Sequence, residues 1–404
     1  MTLDSAVADV ATLLSAAAPR IAAPREEPGD SFVLHAPLET LARVGLLDHV
    51  AADERAGIVE RIRATAATYD TYRAWPRTAA PSSIADEATA RRTLVAGIAA
   101  TDFDAVDDAV RWLSARLDTD ELVVAIADPI VASLAAAAHG AIFAYLLPRV
   151  AARQLPAAAM LRTTAHELAR HPEWRLSWFD HRPSATAMPS ADAAVELERR
   201  LARPPSVTPA SDMIQPTMDA VEQAGLATDL LGDLVGVLTV RDARHALVRT
   251  AARSMLQDDT DGAPYTWSHC LTMPQATLGI ARSVSDRVAA IAVAATYVLG
   301  FRSTCGLVAV EPDWEPERPS RPITGGLDLG ATPGEVAAVA WYAPPDARPA
   351  IWRQLAAHAG AHRDAHLAKY TLASLDATRG DPGQESLYLA AAAFLNAWWC
   401  QPSR

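Results

Sequence analysis

Residues 122–147 read LVVAIADPIVASLAAAAHGAIFAYLL, and the reading of this run decides the class of fold. It is long enough to cross a bilayer, and its only acidic or basic residues are Asp128 and His139. Asp128-Pro129 has the form of a helix cap followed by proline at the first helical position, which predicts a break there. What remains, Pro129 to Leu147, is dominated by alanine, contains Gly140 and is closed by Pro148-Arg149. Alanine inserts weakly into lipid and packs well against other helices, so the expectation is a buried core helix rather than a membrane span. The same reading applies to Val288–Leu299.

The remainder of the 404-residue chain agrees with helix. Glycine is sparse at 19 residues, aromatics are 6% and alanine recurs throughout, which suits the residue with the best helix propensity. Apolar residues fall at helical spacing in Val7/Val10/Leu14, in Ile58/Ile62 running to Tyr69, and in Leu247/Ala251/Met255. Thr332-Pro333-Gly334-Glu335 has the pattern of a capping box with proline at the first position. Two-residue alternation is nearly absent, apart from one short candidate strand near Gly306–Val310. The expected fold is all-α, a single large domain over 1–404 with about a dozen helices. Two Pro/Gly-rich stretches interrupt it: Pro183–Pro209 around a helical piece at Ala191–Leu201, and a long loop at 310–334 with the character of a lid.

Composition excludes several classes of function. The net charge is −12 and the isoelectric point about 5.4, which argues against a nucleic-acid or anionic-membrane surface. Cys270, Cys305 and Cys400 show no metal or disulfide spacing and fit a reducing compartment. The first residues, MTLDSAVADVATLL, carry acids where a signal peptide is basic, so a cytoplasmic protein is expected. Gly325-Gly326 with Gly330 follows no strand, so the dinucleotide fingerprint is missing.

One count stands out. Lysine plus arginine is 36, and Lys369 is the only lysine, leaving 35 arginines. In an Ala/Arg-rich chain arginine serves wherever a generic cation suffices. A buried amine can lose its proton and act as nucleophile, base or modified ligand, whereas a guanidinium stays charged. In LAAHAGAHRDAHLAKYTLASL, His358, His362 and His366 are four residues apart and Lys369 follows three later, which on one continuous helix sets all four on one face. Three imidazoles and an amine are costly to bury without a partner, and a metal ion is the natural one. His35 in FVLHAPLE, His139 in AAAAHGAIF and His269 in YTWSHCLTMP are the further candidates in apolar surroundings. His49, His166, His171, His181 and His245 sit among polar residues and read as surface.

The order of these segments resembles the questin oxidase-like proteins, a family of polyketide-pathway oxygenases. LHAPLETLARVGL resembles the family's Asn-His-x-Pro segment, AHGAIFAYLL its His-Gly helix, TWSHCLTMP its His-x-x-Thr segment, and HRDAHLAKYTLASL its His-x-Asp-x-His-x-x-Lys helix. SLYLAAAAFL resembles the usual tail. Together they span residues from about 32 to 395. The resemblance implies a mononuclear non-haem iron, Fe(II), held by His35, His139, His269 and His366 with Lys369 carboxylated to a carbamate. His362 would be either an extra ligand or a group that orients one, and Lys369 and His362 are the residues expected to take part in catalysis. The implied chemistry is O2-dependent oxidation or cleavage of a ring in an anthraquinone-like aromatic polyketide. A Baeyer–Villiger-type monooxygenation using NADPH is the variant the resemblance also allows. Tyr265, Trp267 and Tyr370 flank the supposed ligands and are the expected walls for a planar substrate. The chain departs from the family pattern at Leu34, where asparagine is usual, at Phe143 and Leu146, where a further histidine is common, and at Ala365, where an acid is common. The expected partners are a small aromatic molecule and O2, with a homodimer admissible. The residues alone do not separate iron from zinc or manganese.

Three rivals are weighed on the residues. Asp258-Asp259-Thr260-Asp261 offers the acidic cluster of a terpene-cyclase-like enzyme, but Gly262-Ala263-Pro264 makes it a turn and no second metal motif follows. Binuclear hydrolases with a carboxylated lysine need His-x-His on a barrel strand, and this chain has neither His-x-His nor strand–helix alternation. A non-catalytic all-α protein would keep the histidines as core residues.

Overall fold

Helix after helix, cut short by caps and prolines, builds the computed structural model, which describes residues 3–26, 31–151, 158–185, 187–258, 260–319 and 326–401. Eighteen α-helices and no strand occur among the described residues, so the protein is all-α. The count exceeds the expected dozen; the run read as one helix through His358 and Lys369, for example, is two. The candidate strand near Gly306–Val310 forms no ladder: Val310 N–H donates instead to the carbonyl of Ala202 at 3.0 Å. Residues 320–325 of the expected lid, Gly325 among them, and Asp259 of the acidic cluster lie outside the described residues. The described part of that loop is pinned, with the Tyr342 hydroxyl donating to Glu315 at 3.0 Å and the Gln354 amide bonded to Leu327.

The run at 122–147 is broken, but not at Asp128-Pro129. A helix Thr119–Val131 begins at a capping box on Asp118 and Glu121, carries Pro129 in its last turn, and a second helix covers Gly140–Ala151. In the last turn Pro129 forfeits one backbone hydrogen bond just before the helix ends, and the real interruption is the alanine turn at 135–138. The capping box at Thr332 and Glu335 opens the helix Pro333–Trp341 as expected. The only described helix long and apolar enough to cross a membrane, Arg287–Cys305, has 83% of its apolar window buried inside the protein. Apolar on all sides and packed by neighbours, it is a core helix.

Four helices form a closed circuit around the centre. Ser31–Leu46 packs on Gly140–Ala151, which packs on Ser268–Gly279, which packs on Ala365–Gly380, which returns to Ser31–Leu46. Glycine permits two of these approaches. A Cβ on Gly45 would stand 2.7 Å from Leu372, and one on Gly279 would stand 2.2 Å from the ring of Tyr145. A buried ion pair of Arg149 with Asp376, 2.5 Å, ties Gly140–Ala151 to Ala365–Gly380.

Candidate metal centre

His35 lies in the second turn of Ser31–Leu46, and His139 stands immediately before Gly140–Ala151. His269 is the second residue of Ser268–Gly279, and His366 and Lys369 occupy the start of Ala365–Gly380. All five side chains are buried, with between 2% and 7% of each residue exposed. The His35 ring lies 4.6 Å from that of His139 and 4.5 Å from that of His366. His269 lies 5.2 Å from His139 and 4.8 Å from His366, centre to centre. Residues more than 300 positions apart in sequence thus share one small volume.

Local structure aims each ring. Ala136, Ala137 and Ala138 hold φ of 52°, 50° and 56°, a left-handed turn that costs an L residue about 1 kcal/mol or more each. The turn swings the carbonyl of Ala136 to within 2.9 Å of His139 Nδ1. Before His269 the chain makes a wide π-turn at Ala263–Trp267, and the carbonyl of Tyr265 stands 2.7 Å from His269 Nδ1. Such turns concentrate at functional sites. A carbonyl only accepts, so both Nδ1 atoms carry hydrogen and, in the neutral rings, both Nε2 atoms are bare lone pairs. These two lone pairs face each other at 3.2 Å, with Lys369 Nζ 3.3 Å from His139 Nε2.

Two acceptors in contact repel unless a cation or proton lies between them. One nitrogen from each of His35, His139 and His269 lies within 4.8 Å of the others. Nitrogens about 2.1 Å from one ion stand about 3.0 Å apart at a right angle and about 4.2 Å apart when opposite. The donor set therefore fits a single cation with closure by about half an ångström. The rings are ready for it: burial first, and the charge of Lys369 next, holds His35 and His139 well below the usual imidazole value. Burial, then His366 and Lys369, does the same for His269. Burial also brings the Lys369 amine down to about 7, against the pull of Asp364 and Glu39, so near neutral pH the amine is in part uncharged.

The helix read through His358, His362, His366 and Lys369 is interrupted. Arg348–Ala361 ends, His362 to Asp364 is extended, and a new helix starts at Ala365. Asp364 caps that start, accepting from the backbone of His366 at 2.7 Å and Leu367 at 3.2 Å, and its Oδ1 lies 3.3 Å from His366 Nδ1. His366 and Lys369 join the cluster, whereas His358 and His362 are turned into a separate group. The His362 ring pairs with His358 and Trp399, and its Nδ1 accepts the N–H of Asp364 at 3.1 Å. His362 is therefore placed to fix the segment that caps His366, not to reach the other imidazoles.

Of the three expected aromatic walls, Tyr265 meets the cluster, its ring 4.9 Å from His366 while 53% of the residue is exposed. Trp267 is fully buried beneath the guanidinium of Arg302, 5.6 Å away, and Tyr370 is fully buried in the core. His166, expected at the surface, is 1% exposed, stacked on Phe103 at 4.3 Å, and burial lowers it to about 4. Asp258 of the acidic cluster is spent on a buried ion pair with Arg302. A cavity of about 10 Å³ adjoins Lys369, lined also by Thr272, Gln275 and Asp376, with room for about one water-sized molecule. A groove of about 990 Å³ lies between Leu3–Ile21 and Arg55–Tyr69, and none of the five site residues lines it.

The reading of the residues missed Glu39 and Arg43. They form a buried ion pair at 2.8 Å, and Arg43 also bonds to the carbonyls of Ala359, Gly360 and Asp364. The pair sits four residues apart on the His35 helix, a spacing visible in LETLAR. Comparison of the chain with protein-family models, curated proteins and solved structures finds no match.

Proposed function

We propose that the chain is a non-haem iron oxygenase of the questin oxidase-like kind, using O2 to oxidise or cleave a ring of an anthraquinone-like aromatic polyketide. The observation that carries this reading is the pair of Nε2 lone pairs of His139 and His269 held face to face, each Nδ1 hydrogen already given to a backbone carbonyl. His35, His139, His269 and His366 are the nitrogen donors. Lys369, partly neutral in its buried site, attacks CO2 through Nζ, forms an N–C bond and releases a proton, which gives an oxygen donor that arginine cannot supply. Bound iron(II) supplies the redox chemistry with O2 that these side chains lack.

The remaining residues orient and shield. The Asp364 carboxylate, 3.3 Å from His366 Nδ1, stands on the side of the ring where carboxylates commonly support metal-bound imidazoles. Tyr265, half in solvent and edge-on to His366, marks the side from which a planar phenol approaches, since the cavity beside Lys369 is far too small for one. The test is metal analysis of the purified protein, followed by oxygen uptake with hydroxylated anthraquinones. Near one iron per chain and phenol-dependent uptake are expected; a metal-free or zinc-only protein that takes up no oxygen overturns the reading.

A further inference from the structure

We propose that Cys400, His358 and Asn396 form a second chemical site, a base-assisted nucleophilic thiol open to small electrophiles such as hydrogen peroxide. The inference does not depend on the metal centre. Its geometry is built in three steps from the core outward. Asn396 is fully buried in Glu385–Trp398, and its amide nitrogen donates to the carbonyl of Ala392 at 2.8 Å and to the hydroxyl of Thr371 at 3.1 Å. Its amide oxygen is thereby left facing His358 Nδ1 at 2.8 Å. An amide oxygen only accepts, so His358 carries hydrogen on Nδ1 and presents the Nε2 lone pair. That lone pair meets Cys400 Sγ at 3.4 Å.

The arrangement is a thiol, a base and a group that fixes the base's tautomer, the same division of roles as in Cys-His-Asn hydrolases. It is specific to one of the three cysteines. Cys270 is fully buried and burial pushes its thiol up to about 12. Cys305 has only the hydroxyls of Thr304 and Thr266 for neighbours among its hydrogen-bond contacts. Cys400 is half-buried, and burial holds its thiol above the ordinary value, so it rests as thiol and needs the imidazole to take its proton. The charged and titratable groups around His358 are the His362 ring at 5.6 Å and, one residue along the same helix, the Arg43 guanidinium on the Ala359 carbonyl.

With hydrogen peroxide the step balances as follows. The thiol proton passes to His358 Nε2 while sulfur attacks one peroxide oxygen; the S–O bond forms and the O–O bond breaks. Sulfur loses two electrons, the departing hydroxide recovers the proton from His358 and leaves as water, and Cys400 remains as a sulfenic acid.

Alkylation of the full-length protein by iodoacetamide, followed residue by residue by peptide mass spectrometry, tests the site. Near neutral pH, Cys400 should react about tenfold or more faster than Cys305, and His358→Gln should remove about tenfold of that rate, since a positioned base commonly contributes that much or more. The Cys305 rate and the melting temperature should not move. Should His358→Gln fail to fold, the unaltered protein decides: its Cys400 should still alkylate about tenfold or more faster than its Cys305. Peroxide followed by dimedone should label Cys400, and Cys400→Ser should abolish the label while leaving bound metal unchanged. Equal Cys400 rates with and without His358, equal rates at Cys400 and Cys305 in the unaltered protein, or dimedone on Cys305 instead would overturn the proposal.

Discussion

Lys369 sets how the imidazoles around it behave, because its charge lowers the proton affinity of His35, His139, His269 and His366 beyond the effect of burial. Lys369→Arg keeps a cation but no amine, and should lose most bound metal and activity while the fold persists; full activity in that variant would remove the lysine from the chemistry. Lys369→Met gives the complementary result: metal is lost, yet the metal-free protein melts no lower near pH 7, because a buried amine has been exchanged for an apolar chain of similar size. His139→Ala and His269→Ala should lose metal, and His171→Ala, whose ring stacks on Trp174 at 3.7 Å, should not. The pH dependence follows from the sign of the shifts. The imidazoles are lowered in the folded state, so their contribution is complete above about 6.5, the unfolded value, and is lost as pH falls toward the folded values. Lys369 is lowered to about 7, so stability also declines as pH falls from about 10.5 toward 7. Melting of the metal-free protein between neutral and mildly acid pH should therefore drop, and a flat profile there would contradict the burial of neutral imidazoles.

At the scale of elements, two devices hold the cluster, and they differ in how well the residues announce them. The buried pair of Glu39 and Arg43 joins the His35 helix to the last carbonyls of Arg348–Ala361 and to the Asp364 cap. Arg43→Ala leaves the Glu39 carboxylate with only Thr65 and Arg61 as partners and the carbonyls of Ala359 and Gly360 without their guanidinium donor, and should cost about 1–3 kcal/mol by chemical denaturation, with weakened metal binding; a loss within the range of a surface substitution would show that the pair positions nothing. The left-handed turn at Ala136–Ala138 has no sequence signature, since alanine there pays a conformational cost that glycine would avoid. Ala137→Gly should therefore raise stability by about 1 kcal/mol, and a lower melting temperature would contradict the turn. The break at 362–364 is marked in the sequence by Gly360 and the capping Asp364, a weaker local signal than the four-residue histidine spacing that runs across it. That spacing placed His358 and His362 with His366 when the chain turns them away.

For the whole molecule, helical periodicity, alanine content and sparse glycine were enough to read the all-α class, because burial of one face is a local property of sequence. Convergence of His35, His139 and His269 is not local: nothing in the run around any one of them specifies the others, and only the closed circuit of four helices brings them together. A ligand shared by four helices stabilises the fold by mass action. Metal at about 100 times its dissociation constant should add about 2.7 kcal/mol, read as a rise in melting temperature that a chelator reverses. The most direct measurement is anomalous diffraction from crystals at the iron absorption edge. A single strong peak is expected within bonding distance of nitrogens from His35, His139, His269 and His366, with added density on Lys369 Nζ. Absence of a peak there, or an ordered water bonded between His139 and His269 in its place, would contradict the account.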